Sequence, residues 1–165
     1  MSEMNRILGF LLAFVLLFAV VPSNSAYAER ESALIETIYY QDGSYAVITL
    51  TEERSAEKES TFARAFSYIR NGSKTYTYYN SSGVTEWSAT LNASFIYDGS
   101  TATCTAANCQ VTIYNNAWYV VSNSSSYSGN TATANVTMGY RLLGNTVGTK
   151  SITITLSCDA NGNLS

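Results

Sequence analysis

The chain of 165 residues carries 9 Lys plus Arg against 12 Asp plus Glu, and it contains 13 tyrosines, three cysteines and no histidine. Without histidine, Ser-His-Asp and Cys-His catalysis are excluded, as is any ordinary His-ligated zinc site. A net charge of −3 offers no concentration of positive charge for nucleic acid or for an anionic membrane surface.

The first element in chain order is an export signal, residues 1–28. Arg6 supplies a positive start, Ile7 to Val21 form an apolar run of 15 residues, and Pro22 ends it. Ala26-Tyr27-Ala28 then gives the small-x-small pattern that signal peptidase cuts after, so cleavage is expected between Ala28 and Glu29. The run is shorter than the roughly 20 apolar residues that cross a bilayer. No later run approaches that length, so a secreted, extracellular protein from residue 29 onward is expected, with nothing left in the membrane after cleavage.

Residues 29–51 read as a hairpin. Ile35 to Tyr40 and Tyr45 to Thr51 flank the turn Gln41-Asp42-Gly43-Ser44. Residues 52–64 read as a charged spacer, with 7 of the 19 charges that follow the signal. A processing site there is the sharper alternative to a simple connector. The spacer also holds Ser55-Ala56-Glu57-Lys58, which matches S-x-x-K by letter but lacks the companion motifs of that catalytic class.

Residues 65–165 read as a β-sandwich domain, because their hydrophobic period is two. Trp87, Ala89, Leu91, Ala93, Phe95 and Tyr97 share one strand face, with Glu86, Ser88, Thr90, Asn92 and Ser94 on the other. The same alternation places Ala132, Ala134, Val136, Met138, Tyr140 and Leu142 inward on a second strand. A third strand turns Ile152, Ile154, Leu156 and Cys158 inward. Shorter strands are expected at Val111 to Tyr114 and Trp118 to Val121. Hairpin turns are expected at Asn71-Gly72, Ser81-Ser82-Gly83, Asp98-Gly99 and Gly144-Asn145. The fold expected is all-β, an antiparallel sandwich of Ig-like architecture with about seven to nine strands.

Three cysteines in an exported chain imply one bridge and one leftover thiol. Closing the Cys104–Cys158 loop is worth on the order of 4 kcal/mol, and the short Cys104–Cys109 ring about 2 kcal/mol. Loop entropy does not choose between Cys104 and Cys109 as the partner of Cys158. Strand phase favours Cys104–Cys158, since both continue inward faces, and leaves Cys109 free or pairing between chains. Trp118 lies between these two cysteines at a spacing close to that of immunoglobulin domains. Leu156, however, stands where a tyrosine corner would be, so the likeness extends to architecture only.

The segments Asp42-Gly43-Ser44, Lys74 to Gly83, Trp87-Ser88, Ser100 to Thr105 and Leu156 to Gly162 give a wider likeness. From about Ile35 to Ser165 the chain resembles small proteins exported by anaerobic clostridial-type bacteria. That resemblance implies export and a β domain, with recurrent cysteines at the positions of Cys104 and Cys158 and Cys109 as an extra. It brings no activity with it.

The chemistry available is sparse. Glycoside hydrolysis usually needs two carboxyl groups facing one cleft. After residue 64 only Glu86, Asp98 and Asp159 remain, the two aspartates in turns and Glu86 on a polar face where solvation is expected. No acidic cluster resembles a Ca²⁺ loop, so neither metal nor cofactor is expected. A Ser–Lys hydrolase using Lys74 or Lys150 is the weakest reading. The tyrosines are the remaining candidates for a site, and Tyr79, Tyr127 and Tyr39 are the ones expected to be exposed. A secreted, non-catalytic protein acting by binding or surface contact is expected, with an extracellular glycan or protein as partner. A carbohydrate-binding or adhesive module is the alternative.

Overall fold

The computed structural model describes residues 30–53 and 67–165. The export signal with its Ala28/Glu29 cleavage point, the Ser55–Lys58 motif and all of the charged spacer except Glu52 and Glu53 lie outside the described residues.

Among the described residues eight strands follow one another: β1 (Arg30–Tyr39), β2 (Tyr45–Glu53), β3 (Tyr68–Tyr79), β4 (Thr85–Tyr97), β5 (Ala102–Ile113), β6 (Trp118–Ser128), β7 (Thr131–Leu142) and β8 (Asn145–Ser157). They form a five-stranded sheet in the order β1-β2-β3-β4-β5 and a three-stranded sheet in the order β6-β7-β8. All pairings are antiparallel. The all-β sandwich expected from the two-residue period is therefore what the chain builds.

Each sheet is a plain meander, and the chain changes sheets once, between β5 and β6. The kinship with immunoglobulin domains is thus one of two-layer architecture. The Greek-key crossings of that fold do not occur among the described residues, and the Cys104, Trp118 and Cys158 spacing does not mark its topology there.

The core lies between the sheets where the alternation put it. Trp87, Leu91 and Phe95 of β4 face Val136 and Met138 of β7 and Leu156 of β8, all fully buried. The opposite faces are ladders of small hydroxyl and amide side chains that bond across strands. Thr75 and Thr90 hydroxyls lie 3.0 Å apart, Thr131 and Ser157 2.9 Å, and Thr137 and Ser151 3.0 Å. Such pairs satisfy polar groups locally and contribute a few tenths of a kcal/mol to about 1 kcal/mol each.

The packing decides where the hairpin goes and corrects the expected turns. Whether the hairpin of residues 29–51 stands apart or joins the sandwich was open from the sequence; its described part joins the sheet, because β2 pairs along its whole length with β3, from Tyr45↔Tyr79 to Glu53↔Asn71. That register also draws Glu52 and Glu53 out of the spacer and into β2. Asn71-Gly72 is not a turn: β3 runs straight through it. A Cβ at Gly72 would stand 2.2 Å from Leu164 Cδ1, so this glycine makes room for a side chain of the C-terminal tail. The β7–β8 turn centres on Leu143-Gly144 with φ of 49° and 83°, one residue earlier than expected.

Candidate binding cleft

In a meander, alternate turns gather at one end of each sheet. The β1–β2, β3–β4, β5–β6 and β7–β8 connections therefore meet at the same end of this sandwich. Between them lies a cleft of about 440 Å³. Asp42 and Ser44 come from the first connection, Asn80 and Ser81 from the second and Asn115 from the third, while Trp118 opens β6 and Tyr140, Thr149 and Lys150 lie in β7 and β8 beside the fourth.

Glu86 forms the floor. The register runs from Tyr78↔Trp87 to Tyr79↔Thr85, so Glu86 is the extra residue of a β-bulge, and bulges re-aim side chains. It is 6% exposed, not solvated as its place on a polar face implied. Its Oε1 accepts from Asn80 Nδ2 at 2.7 Å. Its Oε2 accepts from Asn115 Nδ2 at 2.6 Å and from Trp118 Nε1 at 3.1 Å. Its main-chain carbonyl accepts the N–H groups of Tyr114 and Asn115. The amide oxygens of Asn80 and Asn115 in turn accept main-chain N–H groups of their own loops. One buried carboxylate thus ties the β3–β4 turn and the β5–β6 loop into one polar unit.

The wall is aromatic. Trp118 meets Tyr78 edge-on at 5.5 Å and 74°, and Tyr140 at 5.2 Å and 52°. Behind it, Trp87 stacks on Tyr76 at 5.3 Å and 22°. The Tyr76 hydroxyl lies 2.6 Å from that of Tyr40. Burial first, and then that hydrogen bond, push the Tyr76 phenol above its ordinary range.

On the far side the Tyr78 hydroxyl donates to Ser44 Oγ at 2.8 Å, and Ser44 Oγ donates to Asp42 Oδ1 at 2.5 Å. The Ser44 hydroxyl and N–H hold the Asp42 carboxyl below its ordinary value. The Lys150 ammonium sits 3.2 Å from the Tyr40 ring centroid and 4.6 Å from that of Tyr78, within the range of cation–π attraction.

This arrangement limits the chemistry. Both oxygens of Glu86 are taken up by side-chain donors. The Ser44 hydroxyl and N–H favour the ionised form of Asp42, whereas the acid of a glycoside-hydrolysing pair is a carboxyl kept protonated. Ser44 shares the cleft with Lys150, but its proton is held by Asp42, its oxygen by Tyr78, and it is 3% exposed.

The tyrosines expected to be exposed divide between two places. Tyr39 and Tyr79 stand in register with Tyr45 across β1, β2 and β3, on the outer face of the large sheet. Tyr45 stacks on Tyr79 at 4.8 Å and 9°, and Tyr39 leans on Tyr45 at 5.9 Å and 37°. Tyr45 and Tyr79 each spend a ring face on the other, and sugar stacking needs an open ring face. Tyr39 alone is widely open, at 77% exposure. Tyr127 is half-exposed on β6, far along the chain from both groups. Of the cleft residues, Lys150 was named from the sequence only for a Ser–Lys site and Trp118 only for its spacing to the cysteines, while Tyr78, Tyr140 and Asp42 were not read as binding residues. Strand counting would have found them, because in a meander they all fall at one end.

The cysteines are all buried and all free thiols, so the expected Cys104–Cys158 bridge is not formed. Cys104 Sγ is turned to the carbonyl of Ala106 and Cys158 Sγ to that of Asp159, each at 3.4 Å. Both are anchored at the β6–β7 turn, where Cys104 N–H donates to Gly129 O and Cys158 N–H to Asn130 O. Cys109 is buried as well, at 7% exposed against 2% and 0% for Cys104 and Cys158. Burial raises all three thiols above their ordinary value.

No protein-family model, curated protein or solved structure matches this chain.

Proposed function

We propose that this is a secreted, non-catalytic binding protein, and that the end cleft is where it binds. Export rests on the opening of the sequence, with its Arg6, apolar run and Ala26-Tyr27-Ala28. The observation that carries the binding reading is the convergence of four connections on a cleft with an aromatic wall and a rigid polar floor. Concave sites with apolar walls and a few placed polar groups are the usual form of ligand sites. The ligand class that suits this lining is a neutral glycan. Trp118 and Tyr140 offer ring surface, and the Ser81, Thr149 and Tyr140 hydroxyls and the second Asp42 oxygen offer hydrogen bonds. The tyrosine row of Tyr39, Tyr45 and Tyr79 is better suited to contact than to sugar stacking.

A glycan array probed with residues 29–165 tests this reading. Saturable binding to a neutral glycan is expected, weakened at least ten-fold by Tyr140→Ala and unchanged by Tyr39→Ala. Binding that depends on Tyr39 instead would move the site to the outer face. No saturable binding to any glycan would remove the sugar reading and leave a protein ligand.

A further inference from the structure

The two sheets differ by two strands, and the difference is all on one side. β6 packs over β5, β7 over β4 and β5, and β8 over β3 and β4. β1 and β2 therefore extend beyond the edge of the smaller sheet, by about 10 Å at the usual strand spacing. Ile38, Ile48 and Leu50 on their inner face are only partly buried, Ile35 is 46% exposed, and the exposed Glu36, in register with Ile48, shares that face. Beside this shelf runs the edge of β8, which pairs with no other strand among the described residues.

The register shows which groups that edge offers. Ser157 exchanges both of its main-chain bonds with Ser165, at 3.0 Å each, so its N–H and C=O point away from β7. With a period of two, the N–H and C=O of Thr155, Thr153 and Ser151 point the same way. The side-chain bonds Thr131–Ser157, Asn135–Thr153 and Thr137–Ser151 agree. They mark the close, non-hydrogen-bonded pairs of an antiparallel ladder. Edges of this kind are normally blunted by proline or by an outward lysine. This stretch has no proline, and its Lys150 is drawn over Tyr40.

The C-terminal residues already use the far end of the same edge. Leu164 bridges to Cys158, and its side chain reaches between the sheets onto Gly72. We propose that the β8 edge and the β1–β2 shelf together form an acceptor slot for one extended strand of a partner protein, entering as the tail does. The strand would place apolar side chains at alternate positions on Ile48 and Leu50 and bond its backbone to Ser151, Thr153 and Thr155. Strand addition of this kind draws affinity from main-chain bonds and specificity from alternate side chains. A second copy joining β8 to β8 does not fit. Its β3 would lie over its own β8, in the space that β2 of the first copy occupies.

The probe is a synthetic nine-residue peptide of alternating valine and threonine with a lysine at each end, added to residues 29–165. Amide hydrogen exchange is read residue by residue. In the free protein the amides of Ser151, Thr153 and Thr155 should exchange fast while those of Ile152 and Ile154 are protected. Peptide should slow the first three at least ten-fold. Thr153→Pro removes an N–H that β7 does not use, so it should keep the fold's melting temperature within a few degrees and weaken the peptide at least ten-fold. Protection of the three edge amides without peptide would show the slot already filled by the chain and overturn the proposal. Unchanged exchange on adding peptide, or equal binding by Thr153→Pro, would overturn it too.

Discussion

Glu86 is the residue on which the cleft depends. Its carboxylate receives three side-chain donors from two loops, and removing it leaves those donors facing nothing. Breaking a buried, charge-assisted network by deleting one partner costs roughly 3 kcal/mol or more. Glu86→Ala is therefore expected to lower stability by about that amount in urea titration, and to loosen the Asn115–Trp118 loop. A change below about 0.5 kcal/mol would show that the network is worth no more than an exposed one. Leu143 shows the opposite case, a residue that costs stability. It is 94% exposed and sits at φ 49°, where an L side chain other than Asn or Gly is strained by roughly 1–2 kcal/mol. The turn it shares with Gly144 favours Asn-Gly. Leu143→Asn is expected to stabilise the protein by about 1 kcal/mol, read as a higher melting temperature. The cysteines belong to this scale as well. Three buried thiols with raised pKa values should react slowly with a thiol reagent in the folded protein. All three should react on unfolding without reductant. One reactive thiol after unfolding, with a Cys104–Cys158 peptide on mapping, would restore the bridge.

Among the elements, the strand faces were legible and the strand ends were not. The inward residues of β4, β7 and β8 follow from period two alone, because a one-residue slip would expose the whole set. Glu86 escaped that logic because a bulge adds one residue and changes the phase only locally. Asn71-Gly72 read as a turn because the local signal for φ > 0 is the same whether a chain turns or a neighbour needs room. Only Leu164, 92 residues later, decides which. The β1–β2 hairpin was read as separable because its link to β3 holds so much charge. Its place in the sheet comes from pairing with β3, and Ala46 is fully buried there. A fragment starting at Ala65 would bare the β3 edge together with the Tyr76 and Tyr78 faces. It is expected to aggregate or to lose cooperative unfolding. A monomeric fragment with a sharp unfolding transition would return the hairpin to the status of an appendage.

For the whole molecule, the division between sequence and structure follows the range of the forces. Alternation, turn residues and the absence of histidine are local or compositional, so class, strand number and the missing chemistries could be read directly. The predicted sandwich with its core of Trp87, Leu91, Phe95, Val136, Met138 and Leu156 is a consequence of that local pattern. The candidate site is not local. Asp42, Asn80, Asn115 and Lys150 are separated by 35 or more residues at every step. They meet because two meanders bring alternate turns to one end. The stacking of Tyr39, Tyr45 and Tyr79 on one another depends likewise on the register between strands, which no single strand specifies. The sequence by itself determined which faces are apolar and which reactions lack their residues. Tertiary structure alone decided which polar side chains meet, because one sequence pattern is compatible with many strand orders and only packing selects among them.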